Sequence, residues 1–194
     1  MQVNEIFYSI QGEGFHTGEA AVFVRFAGCN LNCPFCDTII TCSRNMTEQA
    51  IVTEVQRLSG SCRFVVLTGG EPTLQVTPLL VRMLHNAGYY VAIETNGTHK
   101  LPRGIDWITV SPKKAFVKDH PDFAVNDCDE VKVVFDGCHD IDDCGIRAKY
   151  YYIQPCDTQN KRTNKEILSM CVNFIKENPR WKLSLQTQKI LKVR

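Results

Sequence analysis

The chain has 194 residues and a formal net charge of +1, with 44% hydrophobic and 22% charged residues, the proportions of an ordinary globular protein with one sizeable core. So small a charge leaves no electrostatic footprint for a polyanion and argues against nucleic acid as a direct partner, and no apolar run is long enough to span a membrane. Ten cysteines, behind a start (MQVNEIFYSI) with neither the basic flank nor the apolar stretch of a secretion signal, point to a reducing, cytoplasmic setting in which thiols serve as metal ligands.

Taken in order, the chain reads as a single domain over residues 1–194. Tyr8-Ser9-Ile10-Gln11-Gly12-Glu13-Gly14 comes ahead of the first expected strand. Two glycines around a carboxylate make a loop able to lie against a flat polar ligand, or simply a glycine-rich turn. Residues 22–26 (VFVRF) then read as a strand. Arg25 within it needs a partner, because a buried unpaired charge is very costly. That partner is either a substrate carboxylate, held by a bidentate guanidinium pair, or a glutamate in a structural ion pair.

The strand delivers Cys29, Cys33 and Cys36, spaced x3 and then x2 in one short loop. Thiolates are the ligands of iron–sulfur clusters, and a 4Fe-4S cube held by three of them keeps one iron open. An open metal position is where chemistry happens, whereas closed four-ligand sites are structural. Cys42 follows at a further x5, so a closed four-cysteine zinc knuckle is the alternative. Asp37 and Thr38 offer an oxygen ligand for Mg2+, or are plain loop polarity.

Thr47 reads as the cap of a helix carrying Ile51, Val52, Val55 and Leu58, stopped at Ser59-Gly60. Residues 64–67 form a buried-type strand ending at Gly69-Gly70-Glu71-Pro72. Thr77-Pro78 opens a second helix, with Leu79, Leu80, Met83 and Leu84 inward and its end at Gly88. Further strands are expected at 89–93, 107–110, 130–135 and 150–153, a helix at 165–176, and a closing strand at 181–185. Between 98 and 149 the helical pattern is weak, so those crossovers are expected to be loops.

Strands alternating with helices argue for a parallel sheet with right-handed crossovers. The conspicuous polar motifs all follow strands, as on the active rim of a (β/α) barrel. The chain is short beside the ~250 residues typical of a full barrel. We therefore expect an α/β fold: an incomplete TIM-type barrel of about six parallel strands, with helices and loops outside. Gly69-Gly70 lets backbone approach a ligand or is a turn. Glu94 and Asn96 suit ribose hydroxyls or a polar heterocycle, or mark an Asn-Gly turn. Ser111-Pro112-Lys113 and Gln154-Pro155 are commonplace alone and gain meaning only by recurring at successive strand ends. The remaining cysteines show no CxxC pair, and the five histidines no ligand spacing.

Cx3Cx2C, with Phe35 before its last cysteine and GGEP downstream, resembles the radical S-adenosylmethionine enzymes. There the amino and carboxylate groups of S-adenosylmethionine chelate the open iron, and one electron releases a 5′-deoxyadenosyl radical. From EIFYSIQGEG through FVRFAGCNLNCPFCDT, LTGGEP, ETNG, VSPK and QPCD to LSLQTQK, the whole chain resembles the 7-carboxy-7-deazaguanine synthases of queuosine-precursor biosynthesis. The resemblance implies conversion of 6-carboxy-5,6,7,8-tetrahydropterin to 7-carboxy-7-deazaguanine and ammonia, with S-adenosylmethionine used catalytically. It implies a 4Fe-4S cluster on Cys29, Cys33 and Cys36, and Mg2+ at Thr38. S-adenosylmethionine would lie against Gly70, Glu71, Glu94, Asn96, Ser111, Pro112, Lys113 and the run Gln154, Pro155, Cys156, Asp157. The pterin would meet Ile10, Gln11, Gly12, Glu13, Arg25 and Thr68. It further implies a homodimer and an electron donor such as flavodoxin or ferredoxin. Gln188, where histidine is the expectation, and Arg194, at the terminus, depart from the pattern. A glycyl-radical activating enzyme shares the cysteine motif and size, but YSIQGEG and Asp37-Thr38 favour the synthase.

Overall fold

A computed structural model describes residues 1–36 and 43–194; the expectations placed on Asp37, Thr38 and Cys42 lie outside the described residues. The chain enters as strand β1 (Gln2–Ile10), returns antiparallel as β2 (Ala20–Phe26) and adds a two-residue edge strand, β3 (Arg44–Asn45). Six strands follow: β4 (Phe64–Gly69), β5 (Tyr90–Thr95), β6 (Trp107–Val110), β7 (Asp127–Phe135), β8 (Arg147–Pro155) and β9 (Trp181–Leu183). All join one open sheet in the order β3-β1-β2-β4-β5-β6-β7-β8-β9. From β2 to β9 every neighbouring pair is parallel. Among the described residues the incomplete barrel therefore has seven parallel strands where about six were expected, and the closing strand expected at 181–185 is the three-residue β9.

β1 was not foreseen, because its buried positions do not alternate. Val3, Ile6 and Phe7 are buried, and the register shifts between Val3 and Glu5. A bulge of this kind displaces the period-two pattern on which strand reading depends.

Helices α1 (Glu48–Ser59), α2 (Pro78–Asn86) and α3 (Lys161–Glu177) cover the outer face of the sheet. Thr47 and Thr77 cap the first two as expected, accepting from Ala50 N and Leu80 N, each bond typically stabilising by about 1 kcal/mol. Leu80, Val81 and Leu84 are buried on α2, whereas Leu79, expected inward, is exposed. No α-helix lies between residues 98 and 149, in agreement with the weak periodicity there. One core fills the space between β1, β2, β4, β5 and helices α1 and α2; a second lies under α3 against β6 to β9.

A third apolar cluster, Phe7, Ala21, Phe23, Phe64, Val66, Ala92 and Trp107, lies on the other face of the sheet, inside the curl. The 11–19 connection begins where Ile10 pairs with Ala20, beside the amino ends of the parallel strands, and folds inward. Its Phe15 stacks 4.7 Å from Trp107 and 4.6 Å from Tyr150. The short helix α4 (Thr187–Leu191) and the last residues close the gap between β9 and β1. Thr187 N donates to Gly12 O, and Ser9 Oγ donates to Arg194 O.

Candidate active site

Above the apolar layer the inward positions become polar, and three carboxylates and two lysines share the lumen. Gln11 and Glu13 come from the infolded loop, Thr68 from β4, Glu94 from β5, Glu130 and Lys132 from β7. Lys132 Nζ donates to Glu13 Oε2 at 2.5 Å and lies 3.6 Å from Glu94 Oε1. Gln11 Nε2 donates to Glu94 Oε1 at 3.1 Å, and Thr68 Oγ1 to Glu94 Oε2 at 3.0 Å. From the carboxy-terminal segment, Gln186 Nε2 and Gln188 Nε2 both donate to Glu13 Oε1, at 3.0 and 2.9 Å. Loop, sheet and tail thus meet on one carboxylate.

The charges are set by this crowding. Burial pushes the Glu13 carboxyl up, but the Lys132 ammonium and hydrogen bonds from Lys132, Gln186 and Gln188 outweigh it and hold the group at about 2. Burial likewise pulls Lys132 down, and the carboxylates of Glu13, Glu94 and Glu130 reverse that, leaving it above its ordinary value. Glu130, which accepts from Phe15 N, is raised chiefly by burial. Lys113 has no such excess of carboxylates. Burial, joined by repulsion from Lys132, brings it down to about 8.

The cysteine loop sits at the carboxyl end of β2 and is tied across the sheet to the end of β5. Asn30 Nδ2 donates to Thr98 Oγ1 at 2.9 Å, and Asn96 Nδ2 donates to Asn30 Oδ1 at 3.0 Å. Phe35 packs edge-on against Phe116 at 4.6 Å, with Lys113 Nζ 5.7 Å from its ring centre. Lys113 Nζ donates to Ser111 Oγ, which donates to Lys132 O. Cys29, Cys33 and Cys36 share this loop with no disulfide among them, and burial raises the first two thiols. Among the described residues no three His, Cys, Asp or Glu side chains converge on a single-ion position. A cube asks for something different, since each thiolate meets its own iron. Three thiols on one pinned loop beside a lysine suit that group.

Most of the expected residues converge on this rim, with qualifications. Gly70 is a close-approach glycine, but the backbone it approaches is the protein's own: a Cβ there would fall 1.9 Å from Gly28 O. Glu71 does not face the lumen. Fully buried, it accepts from Thr73 N, Thr73 Oγ1, Thr95 Oγ1 and Asn96 N, which makes it a brace between the GGEP turn and β5. Gln154 is buried and accepts from Ser184 Oγ; Pro112 and Cys156 are buried and Pro155 half-buried at their strand ends. Asp157 points outward, to Asn164 and Lys189. Ile10 lines a cavity of about 460 Å³ at the β1–tail seam with Tyr8, Ser9 and Arg194. Arg25 already has the glutamate of the second expectation: its Nε lies 3.0 Å from Glu5 Oε1, directly across the strand pair. Glu5 Oε2 in turn meets Arg194 Nη2 at 3.0 Å.

Reading the sequence missed Lys132, Glu130, Ser184 and Gln186. The first two were accessible: charged residues at alternate positions of an apolar strand share one face, and a buried charge needs a partner, the reasoning that singled out Arg25. Ser184 and Gln186 carry no local signal.

The Radical SAM superfamily profile matches residues 23–116. A 7-carboxy-7-deazaguanine synthase of Bacteroides thetaiotaomicron is 45% identical over 194 residues, spanning 100% of this chain and 98% of the relative. Proteins of the same name from Burkholderia multivorans and Haemophilus influenzae are 40% and 38% identical. They cover 98% and 96% of this chain, and 98% and 91% of their own lengths. The crystal structure of QueE from Escherichia coli shares the fold, with a TM-score of 0.74 at 24% identity over 95% of this chain and 92% of that one.

Proposed function

The chain belongs to the 7-carboxy-7-deazaguanine synthase family of radical S-adenosylmethionine enzymes, and from that premise we propose how its lumen converts 6-carboxy-5,6,7,8-tetrahydropterin to 7-carboxy-7-deazaguanine and ammonia. It is a carbon–nitrogen lyase of queuosine biosynthesis, and membership brings with it a 4Fe-4S cluster and S-adenosylmethionine. Together these supply the one-electron cleavage that starts the ring contraction.

The observation that carries the assignment of roles is the stacking of two polar layers inside one curl of sheet. On the outer layer, Cys29, Cys33 and Cys36 would hold the cluster on a loop fixed by Asn30. Ser111, Lys113, Gln154 and Asn96 are the polar groups for S-adenosylmethionine, and the Lys113 ammonium suits its carboxylate. On the inner layer, Glu13, Glu94, Gln11 and Thr68 meet the pterin's N–H and carbonyl edge. Fixed carboxylates suit a donor-rich heterocycle because charge-assisted hydrogen bonds are about twice as strong as neutral ones. Arg25 takes the substrate carboxylate alongside Glu5. Phe15 and Trp107 shut the amino end of the lumen, so the reacting ring is kept from water on that side. Thr38, which lies outside the described residues, would hold Mg2+. The protein acts as a cytoplasmic homodimer and draws electrons from a flavodoxin or ferredoxin; no described helix is long and apolar enough to cross a membrane.

The test is an anaerobic incubation of cluster-reconstituted protein with S-adenosylmethionine, reductant, Mg2+ and 6-carboxytetrahydropterin, read by mass spectrometry. 7-Carboxy-7-deazaguanine is expected. Formation of 5′-deoxyadenosine with no deazapurine would leave the superfamily chemistry standing and overturn the substrate.

A further inference from the structure

Two carboxylates in one enclosed site do not ordinarily stay ionised together. Like charges at close range, in poorly solvating surroundings, share a proton, and one member becomes a neutral acid. Glu13 and Glu94 are in that position. They come from different elements, the infolded loop and β5, yet both lie within reach of one ammonium, Lys132 Nζ, at 2.5 and 3.6 Å. Lys132 is 5% exposed, so its charge is little screened. The other hydrogen bonds they accept come from neutral donors, Gln186 and Gln188 on Glu13 and Gln11 and Thr68 on Glu94, and a carboxylate's two oxygens offer about four acceptor sites, so each keeps room for a ligand N–H. No other cation bonds to either carboxylate among the described residues. Glu130 lies close to Lys132 and to His16, and Lys113 lies close to Lys132, Glu13, Glu94 and Cys33. These groups leave Lys132 the only ammonium in hydrogen-bond contact with Glu13.

We propose that Lys132 is the positioning residue of the pterin site: it keeps Glu13 ionised and ties Glu13 and Glu94 to one ammonium, so that a fixed carboxylate at Glu13, with Glu94 beside it, receives the N–H edge of the heterocycle. It acts through them and need not touch substrate. The inference rests on the pterin reading and adds to it the group that sets the site's charge and its preference for donor-rich rings.

The test is equilibrium binding, with no turnover. Anaerobic holoenzyme carrying S-adenosylmethionine is titrated calorimetrically with 6-carboxypterin, the stable oxidised form of the substrate, between about pH 5 and 7. Wild type should bind with a nearly flat profile, because Glu13 stays charged across the range. In Lys132→Met burial of Glu13 is opposed only by the Gln186 and Gln188 hydrogen bonds, and Kd should rise by about tenfold per pH unit below the raised pKa. Lys132→Arg should restore the flat profile. A merely structural lysine would give a loss independent of pH, and that result in Lys132→Met overturns the inference while leaving the substrate intact. Because an unpaired buried carboxylate can unfold the single variant, Glu13→Gln/Lys132→Met is measured beside it. This pair should bind more weakly than wild type and without pH dependence; wild-type affinity in the pair overturns the inference. Wild-type holoenzyme that fails to bind the pterin at any pH sinks the substrate reading, and the inference with it.

Discussion

A lysine shows most directly how single groups are tuned in this lumen. Lys113 follows β6 and Lys132 lies within the neighbouring β7, yet burial wins for one and carboxylates win for the other. Lys132 has Glu13, Glu94 and Glu130 around it, whereas the nearest strong influence on Lys113 after burial is the Lys132 charge itself. Free of cofactor, Lys113 should titrate near about 8. The sign follows from linkage. Its folded value is below the ordinary 10.5, so the unfolded chain binds more protons between about 8 and 10.5. The contribution of this group therefore makes the protein more stable as pH rises through that window. Carbon-13 NMR of the reductively methylated protein, with Lys113→Met for assignment, reads the midpoint directly. A value at or above 10 would mean that the ammonium is solvated and that the site does not hold it for an anionic ligand.

Elements are placed by close backbone approaches as much as by side-chain packing. The GGEP turn extends the β2–β4 pairing beyond the sheet proper: Gly70 N donates to Phe26 O and Glu71 N to Gly28 O, both at 2.9 Å. There is no room for a side chain at Gly70 because Gly28 O lies 1.9 Å from its would-be Cβ, and Gly28 immediately precedes the first cysteine. Gly70→Ala should therefore displace the cysteine loop while leaving the three cores intact. Far-UV circular dichroism should be unchanged, and iron per chain after reconstitution should fall by half or more. Full iron loading in the variant would show that the loop yields freely at that contact. Helix periodicity and caps made α1 and α2 readable in advance, since those signals lie within a few residues. β1 was hidden by its bulge, and the closing strand expected at 181–185 is shorter, Trp181–Leu183, because only those residues pair with β8.

At the scale of the molecule, an open sheet is completed by its own tail. α4 buries no residue, yet Thr187 bonds to Gly12 O, Gln188 to Glu13, and Arg194 to Glu5. Removing residues 187–194 should thus shift the melting temperature by no more than about 5 °C, a small loss for a domain of this size. It should abolish pterin binding, because Glu13 loses a donor and the seam opens to water. Retained affinity in the truncated protein would mean that the tail is a surface ornament. The sequence alone determined the cysteine spacing, the glycine turns, the alternation of strands and helices, the incomplete barrel and the family resemblance, for each of these is written in residues near one another in the chain. It also found most of the rim, because motifs that end parallel strands must gather at one end of the sheet. Only the tertiary structure decided the rest. Glu13 and Lys132 are 119 residues apart, and Glu13 and Gln188 175 apart; Arg25 meets Glu5 through strand register; Glu71 is spent inside the protein. Such pairings depend on which strand faces are brought inside the same curl, and sheet closure sets that globally, with no local pattern to announce it.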